Sequence, residues 1–305
     1  MTALAAAGVL TALLAGAYAV AVLDRVFSRR RREFSTTLLS PILDASTLLR
    51  SESIVPRGAD RLLFDSAPVV ALAAIALAAL VLPLSPGLVA LDPSIGIFYF
   101  MVCLGPFVVA LMNAGWAANA KTGLLGTFRA AAILLAYEVP FGFAAIGPAM
   151  AAESLSTVSI VQAQANLWFV VWQPLGFAIY IVAALMIAVR RPFDIAHADT
   201  EVAGGVLAEY SGARLLLWRV VFDSVLIAVA AMGTVLFLGG WHGPVLPRPV
   251  WFALKTMVLA TLLLGAGRRF PRLRHDQMLA IAWKVLLPAS LVNVAWVGVG
   301  VLLQR

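Results

Sequence analysis

Long apolar runs separated by short polar and basic stretches dominate this chain. Eight of them approach the roughly 20 residues that a bilayer-crossing helix needs: 2–23, 67–90, 95–112, 124–150, 167–189, 215–239, 249–266 and 277–303. They are too long and too continuous to be barrel strands, which alternate over about 9–11 residues. The pattern therefore predicts an all-α integral membrane protein of eight transmembrane helices. No Ser/Gly linker, low-complexity tract or clear internal repeat divides the chain, so residues 1–305 read as a single polytopic membrane domain. Composition agrees: 62% of residues are hydrophobic and 12% charged, with a mean hydropathy of +0.97, against about 45–50% apolar for soluble domains.

The distribution of charge orients these helices. Ala17-Tyr18-Ala19 looks like a signal cleavage site, but no positive charge precedes it and the arginines follow it, so the first segment reads as a helix with its N-terminus outside. Arg25, Arg29 to Arg32, Arg50, Arg57 and Arg61 follow segment 1. Lys121 follows segment 3, Arg190 and Arg191 follow segment 5, and Arg268, Arg269, Arg272 and Arg274 follow segment 7. The opposite loops hold only Arg248 and Arg305. The positive-inside rule then makes the long basic loops cytoplasmic and puts both termini outside. The net charge of +7 is membrane topology, with no nucleic-acid partner implied. Cys103 alone excludes a disulfide framework, and His197, His242 and His275 fall in three different loops, which suggests no metal site.

Charges inside the apolar runs are expensive, about 2.5–3.5 kcal/mol each at mid-membrane on insertion scales, and so mark partners or tasks. They are Arg129, Glu138, Arg219, Asp223, Lys255 and Lys284. Arg219 and Asp223, four apart, share a helix face and are expected to pair with each other. Glu138 lies about 14 residues into its segment, roughly 20 Å at 1.5 Å per residue, with no opposite charge close in sequence. Its partner must come from another helix. Pro140 removes a backbone donor beside it, and a protonatable carboxyl at such a place is what a proton relay requires.

The cytoplasmic stretch RRPFDIAHADTEVAGGVLAEYSG, residues 190–212, gathers seven Arg, Asp, His and Glu side chains. Asp194, Asp199, Glu201 and Glu209 oppose the prevailing charge. A solvated loop neutralising nearby arginines would account for them, but the interleaved apolar residues and Gly204-Gly205 point to a segment packed closely against something.

Pro192-Phe193-Asp194, Glu201, Gly205 and Glu209-Tyr210-Ser211-Gly212 resemble the signature loop of the membrane chain called the H subunit, or subunit 1, of proton-translocating NADH:quinone oxidoreductase, respiratory complex I. Four further stretches agree in order: VPRGADRLLF, GWAANAKTGLLGTFRAAAILLAYE, FLGGWHGP and PRLRHDQMLAIAWKVLLP. The resemblance covers nearly the whole chain. It implies a translocase subunit without a redox centre, at the junction of the redox and membrane arms, helping form a chamber for a ubiquinone or menaquinone headgroup. NADH, FMN and iron–sulfur clusters would reside on partner chains. Those partners would be hydrophilic iron–sulfur and quinone-pocket subunits on the cytoplasmic side, with small membrane subunits, antiporter-like subunits and lipid laterally. Carried over by position, the proton-coupling residues would be Glu138, Arg129, Asp194, Glu201 and Glu209. Arg25, Arg57, Asp60, Phe193 and Lys284 would belong to the quinone chamber or its walls, and Asp276 also matches.

The chain departs from the family pattern in places. A long Gly-Pro-Asn-containing stretch after the first helix is replaced by RVFSRRRREFSTTLLSP, and Ile187, His197 and Phe222 stand where Glu is common. Asp199 replaces Glu, and Ile133 and Ala136 replace the usual Gln and Ser. A thinned carboxylate chain implies weaker coupling or a rewired path. The shortened loop also fits the alternative within the same family, the membrane anchor of an energy-converting [NiFe] hydrogenase or formate hydrogenlyase. An unrelated secondary transporter would predict inverted repeats with paired broken helices, which the sequence lacks.

Overall fold

The structure, a computed structural model, describes residues 2–28 and 38–304. The arginines at 29–32 lie outside the described residues, as does the Asp199 side chain. The chain forms α1 (Thr2–Ser28), α2 (Ser40–Arg50), α3 (Arg61–Ala79), α4 (Gly96–Ala117), α5 (Lys121–Ala152), α6 (Thr157–Ala163) and α7 (Phe169–Trp172). It continues with α8 (Pro174–Ile187), α9 (Asp199–Val202), a 3-10 turn (Gly205–Leu207), α10 (Gly212–Phe237), α11 (Arg248–Arg269), α12 (His275–Ile281), a π turn (Ala282–Leu286) and α13 (Leu287–Gln304). No named strand occurs among the described residues.

Among the described residues seven helices are long and apolar enough to cross a membrane, the last running from α12 through the π turn into α13. The fifth apolar segment forms a shorter helix than its sequence suggests. The run at 167–189 breaks at Gln173, because Pro174 brings no N–H to the ladder and takes the first position of a new helix instead. Segment 2 also shifts. Asp60 accepts from the backbone N–H groups of Leu62 and Leu63 at 3.1 and 3.3 Å and starts α3 at Arg61, six residues before the apolar run. By contrast α5 passes through Pro140 and Pro148 uninterrupted.

The long helix α10 is the axis of the bundle. Its residues from Ser224 to Phe237 are all buried, against α1, α3, α8 and α11. Small residues let backbones approach where side chains would not fit. A Cβ on Gly115 of α4 would lie 2.4 Å from the Gly123 carbonyl of α5. Buried polar groups knit the end away from the basic loops: Thr157 donates to the Val81 carbonyl at 2.8 Å, and Gln164 donates to the Val235 carbonyl at 2.8 Å. The basic residues gather at the other end, where α1, the 190–212 segment, α11 and α12 meet.

Lys255, whose charge the sequence leaves unexplained, belongs to the end opposite the basic loops. Only 5% exposed, its Nζ donates to the carbonyls of Leu238, Gly240 and His242 at 2.6, 3.2 and 2.6 Å and lies 4.0 Å from the centre of the Trp168 ring. It is the peg on which the turn after α10 is built. Burial first, then the Lys255 and Arg248 charges, lower the pKa of the nearby His242 imidazole from its usual value.

Candidate functional site

The 190–212 segment folds inward. Phe193, Ile195, Ala196, Ala198, Val202 and Val206 are buried, and the segment packs on α4 and α5. The interleaved apolar residues are thus the side facing the bundle, as their alternation with acids implies. Gly205, at φ +52°, is required by both conformation and space: a Cβ there would lie 2.1 Å from the Ala196 carbonyl oxygen. Gly205→Ala is expected to destabilise the segment by about 1–3 kcal/mol, seen as faster proteolysis between residues 195 and 212 in purified membranes.

The acids of this segment have different partners. Asp194, 6% exposed, receives both Nε and Nη2 of Arg272 at 2.9 and 2.7 Å, a two-point fork, with Arg191 at 3.5 Å. Glu201 pairs with Arg129 of α5 at 2.7 Å, and the same guanidinium donates to the Ile195 carbonyl at 3.4 Å. Of the residues expected from the sequence, the structure pairs Arg129 with Glu201 and sets the same guanidinium on the backbone next to Asp194, whose own partner is Arg272; Phe193 is buried. Glu209 is half-buried and makes no ion pair among the described residues. Beside it the Tyr210 ring stacks on Phe64 at 4.1 Å and its hydroxyl donates to the Phe64 carbonyl; burial raises its pKa.

Arg219 and Asp223 do not pair with each other as expected. Arg219 is exposed, whereas Asp223 meets Arg190, because the chain between α8 and α10 delivers that arginine inside the bundle. Arg190 also approaches Asp24 at 4.0 Å, and Asp24 binds Arg268 at 2.7 Å. Arg25 pairs with Asp44 of α2 at 2.7 Å. Asp24 and Asp44 are not expected from the sequence. The signal available for them is an acid placed among arginines at the basic end of a helix.

The positions where Glu gives way have a physical account. His197 packs on Phe222 with ring centres 4.9 Å apart, Phe222 meets Phe107 and Trp218, Trp218 meets Tyr210, and Ile187 is fully buried. An aromatic stack surrounds Phe222, and Ile187 lies in the apolar core, so a carboxylate at either position would be buried in apolar surroundings.

Two clefts flank the ion pairs. A polar one of 250 Å³ is lined by Asp24, Arg190, Arg191, Asp194, His197 and Arg268. The other, of 320 Å³, lies between α1, α2 and α10, mostly apolar, with Tyr18, Arg25, Asp44, Arg219 and Asp223 among its walls. The first loop supplies one of those walls. Its helix α2 has no buried residue, with Ile42 and Leu43 54% and 58% exposed.

Other expected residues lie apart. Arg57 and Asp60 are exposed at the start of α3, where the Asp60 carboxylate caps the helix. Lys284 is exposed on the π turn. Glu138 is exposed on the outer face of α5, beside Leu135 at 59% and Val139 at 36%, and makes no ion pair among the described residues. The cross-helix partner expected for it is therefore not supplied by this chain's described residues.

Comparison with known proteins matches residues 4–298 to the NADH dehydrogenase family model. The chain is 40% identical over 273 residues to the H 2 subunit of NADH-quinone oxidoreductase from Rhizobium meliloti (strain 1021), covering 86% of this chain and 83% of that protein. It is also 40% identical over 267 residues to the H subunit of NADH-quinone oxidoreductase from Geobacillus kaustophilus (strain HTA426), covering 86% and 80%.

Proposed function

Because this chain belongs to the NADH dehydrogenase family, as a membrane subunit of the NADH-quinone oxidoreductase H type, we propose that it admits quinone through the α1–α2–α10 groove and couples its reduction to proton movement. The carrying observation is that groove: apolar walls suited to an isoprenoid tail lead to the Arg25–Asp44 pair and to Asp223. The exposed apolar face of α2 lies in the bilayer interface in this reading, so the shortened first loop still frames the mouth. That favours the quinone-linked complex over the hydrogenase-linked one, since α2 retains a wall that only a lipid-soluble substrate needs.

The groove residues orient a headgroup and supply charge near it. Reduction to quinol takes two electrons and two protons. The electrons come from partner subunits, where the resemblance places NADH, flavin and iron–sulfur clusters. Arg129–Glu201 and Asp194–Arg272 set paired carboxyl groups beneath the docking surface for those partners, with Phe193 buried next to Asp194 in the chain. Glu138 faces a neighbouring membrane subunit and passes protons laterally. Arg57 and Lys284, both exposed, face partner chains at the chamber rim, with Asp60 fixing the start of α3. The basic end is cytoplasmic in a bacterial plasma membrane.

Ala45→Trp fills the groove from α2 and removes neither partner of an ion pair. In membranes carrying the assembled complex it is expected to raise KM for a long-tailed quinone about tenfold, while NADH:ferricyanide reduction, which bypasses the quinone site, stays unchanged. An unaltered quinone KM would refute the access route.

A further inference from the structure

One face of α11, where it runs beside α1, carries two clefts of opposite character. At the basic end is the polar cleft of 250 Å³, in which Leu263, Leu264 and Arg268 of α11 stand with Asp24 of α1 and the charges of residues 190–194. Farther along the same two helices lies an apolar groove of 320 Å³, lined by Gly16 and Ala19 of α1, Ile227 and Ala228 of α10 and Ala253 and Met257 of α11. Among the described residues Thr256 is the one polar side chain in that lining. The quinone groove takes Tyr18, Ala21 and Arg25 from the other side of α1, so the two surfaces do not overlap.

The polar cleft carries an excess of positive charge. Three guanidiniums, those of Arg190, Arg191 and Arg268, line it against two carboxylates, Asp24 and Asp194. Arg272 and Asp223, which hold Asp194 and Arg190, leave that excess of one unchanged. Arg191 is the loosely held member. Its side chain is 60% exposed, and it approaches Asp194 at 3.5 Å, a carboxylate that already receives the Arg272 fork. Its guanidinium therefore has donors to offer a ligand arriving from outside. Arg268, 30% exposed, stands in the last turn of α11, the level at which a spanning helix meets lipid headgroups. Basic pockets between transmembrane helices at that level suit anionic headgroups.

Excess positive charge beside an apolar groove calls for an anion joined to a hydrocarbon chain. We propose that this face of α1 and α11 binds one anionic phospholipid, its phosphate accepting from Arg191 and Arg268 in the polar cleft and one acyl chain running to the apolar groove. The depths agree. Ala19 and Gly16 lie five and eight residues along α1 from Asp24, about 8 and 12 Å, within the roughly 15 Å that the chains of one leaflet span. Only the phosphate and part of one chain enter the clefts, and the rest of the lipid stays in the bilayer. Free phosphate would leave the groove uncovered, and an acidic side chain of a docking partner would reach the cleft without reaching the groove.

The test uses the delipidated complex in phosphatidylcholine nanodiscs containing phosphatidylglycerol with a photoreactive diazirine midway along one chain. Adducts are mapped by peptide mass spectrometry. They are expected within residues 9–19 or 252–257, and about fivefold fewer when diacylglycerol, which lacks the phosphate, bears the same chains. Arg191→Gln is expected to cut the phosphatidylglycerol adducts by the same factor, and Ala15→Trp, which fills the groove, to remove them. Equal labelling by the two lipids, adducts confined to a partner subunit's peptides, or displacement by an equal concentration of inorganic phosphate overturns the proposal. So does wild-type labelling of either variant. The comparison of the two lipids needs the wild type alone, so it decides the matter even where a variant fails to assemble.

Discussion

Lys255→Met is expected to lower the stability of the subunit by about 3–5 kcal/mol and to deplete it from membranes. The methionine keeps the length of the side chain and discards the charge, leaving the Leu238, Gly240 and His242 carbonyls without their shared donor. Each buried acceptor left unmatched costs about 1–3 kcal/mol, and loss of the cation over Trp168 adds about 0.5–2 kcal/mol, with partial relaxation keeping the total below the sum. The measurement is the abundance of the tagged subunit in membranes together with its melting temperature in mild detergent. A variant within about 1 kcal/mol of wild type by these measures would show that the turn at 238–242 holds itself. Trp168→Leu, which spares the three hydrogen bonds, is expected to cost less.

Glu138→Gln is expected to leave the complex assembled and to depress its proton-coupled quinone reduction by about tenfold or more, equivalent to about 1.4 kcal/mol or more on the barrier. Glutamine preserves shape and hydrogen bonding but cannot take up and release a proton. The carboxyl is exposed on α5 among apolar residues that lie on the membrane-facing side, so the substitution removes no internal contact on which folding depends. Proton pumping is followed as quenching of a pH-sensitive dye in inverted vesicles, with NADH:ferricyanide activity as the control for an intact redox arm. Pumping at the wild-type rate removes Glu138 from the proton path.

Much of the molecule was legible in the chain. The eight apolar runs follow from the thickness of the bilayer, and their helical state from the need to satisfy every backbone N–H and C=O without water. The inward packing of residues 190–212 was also legible, because acids and apolar residues alternate there and glycines allow close approach. The resemblance assigned Arg129, Asp194 and Glu201 to one site; in the structure Arg129 pairs with Glu201, while Asp194 pairs with Arg272.

Pairing was not legible in the same way. The i, i+4 spacing of Arg219 and Asp223 predicts a bond along one helix, yet Asp223 meets Arg190, 33 positions away in sequence and brought inside by the turn after α8. Lys255 reads as an unexplained charge in an apolar helix until the turn after α10 folds over it. Gln173 and Asn293, 120 positions apart, carry no signal singly and are both brought against Gly147 inside the bundle.

The sequence by itself determined the class of the protein, most of its spans and the charge of its loops, since these depend on summed transfer energies and local backbone rules. The tertiary structure decided which acid holds which base, which charge is a structural peg and which faces outward. Those outcomes depend on distances between helices, and a few ångströms in a medium of low dielectric outweigh any preference written along the chain.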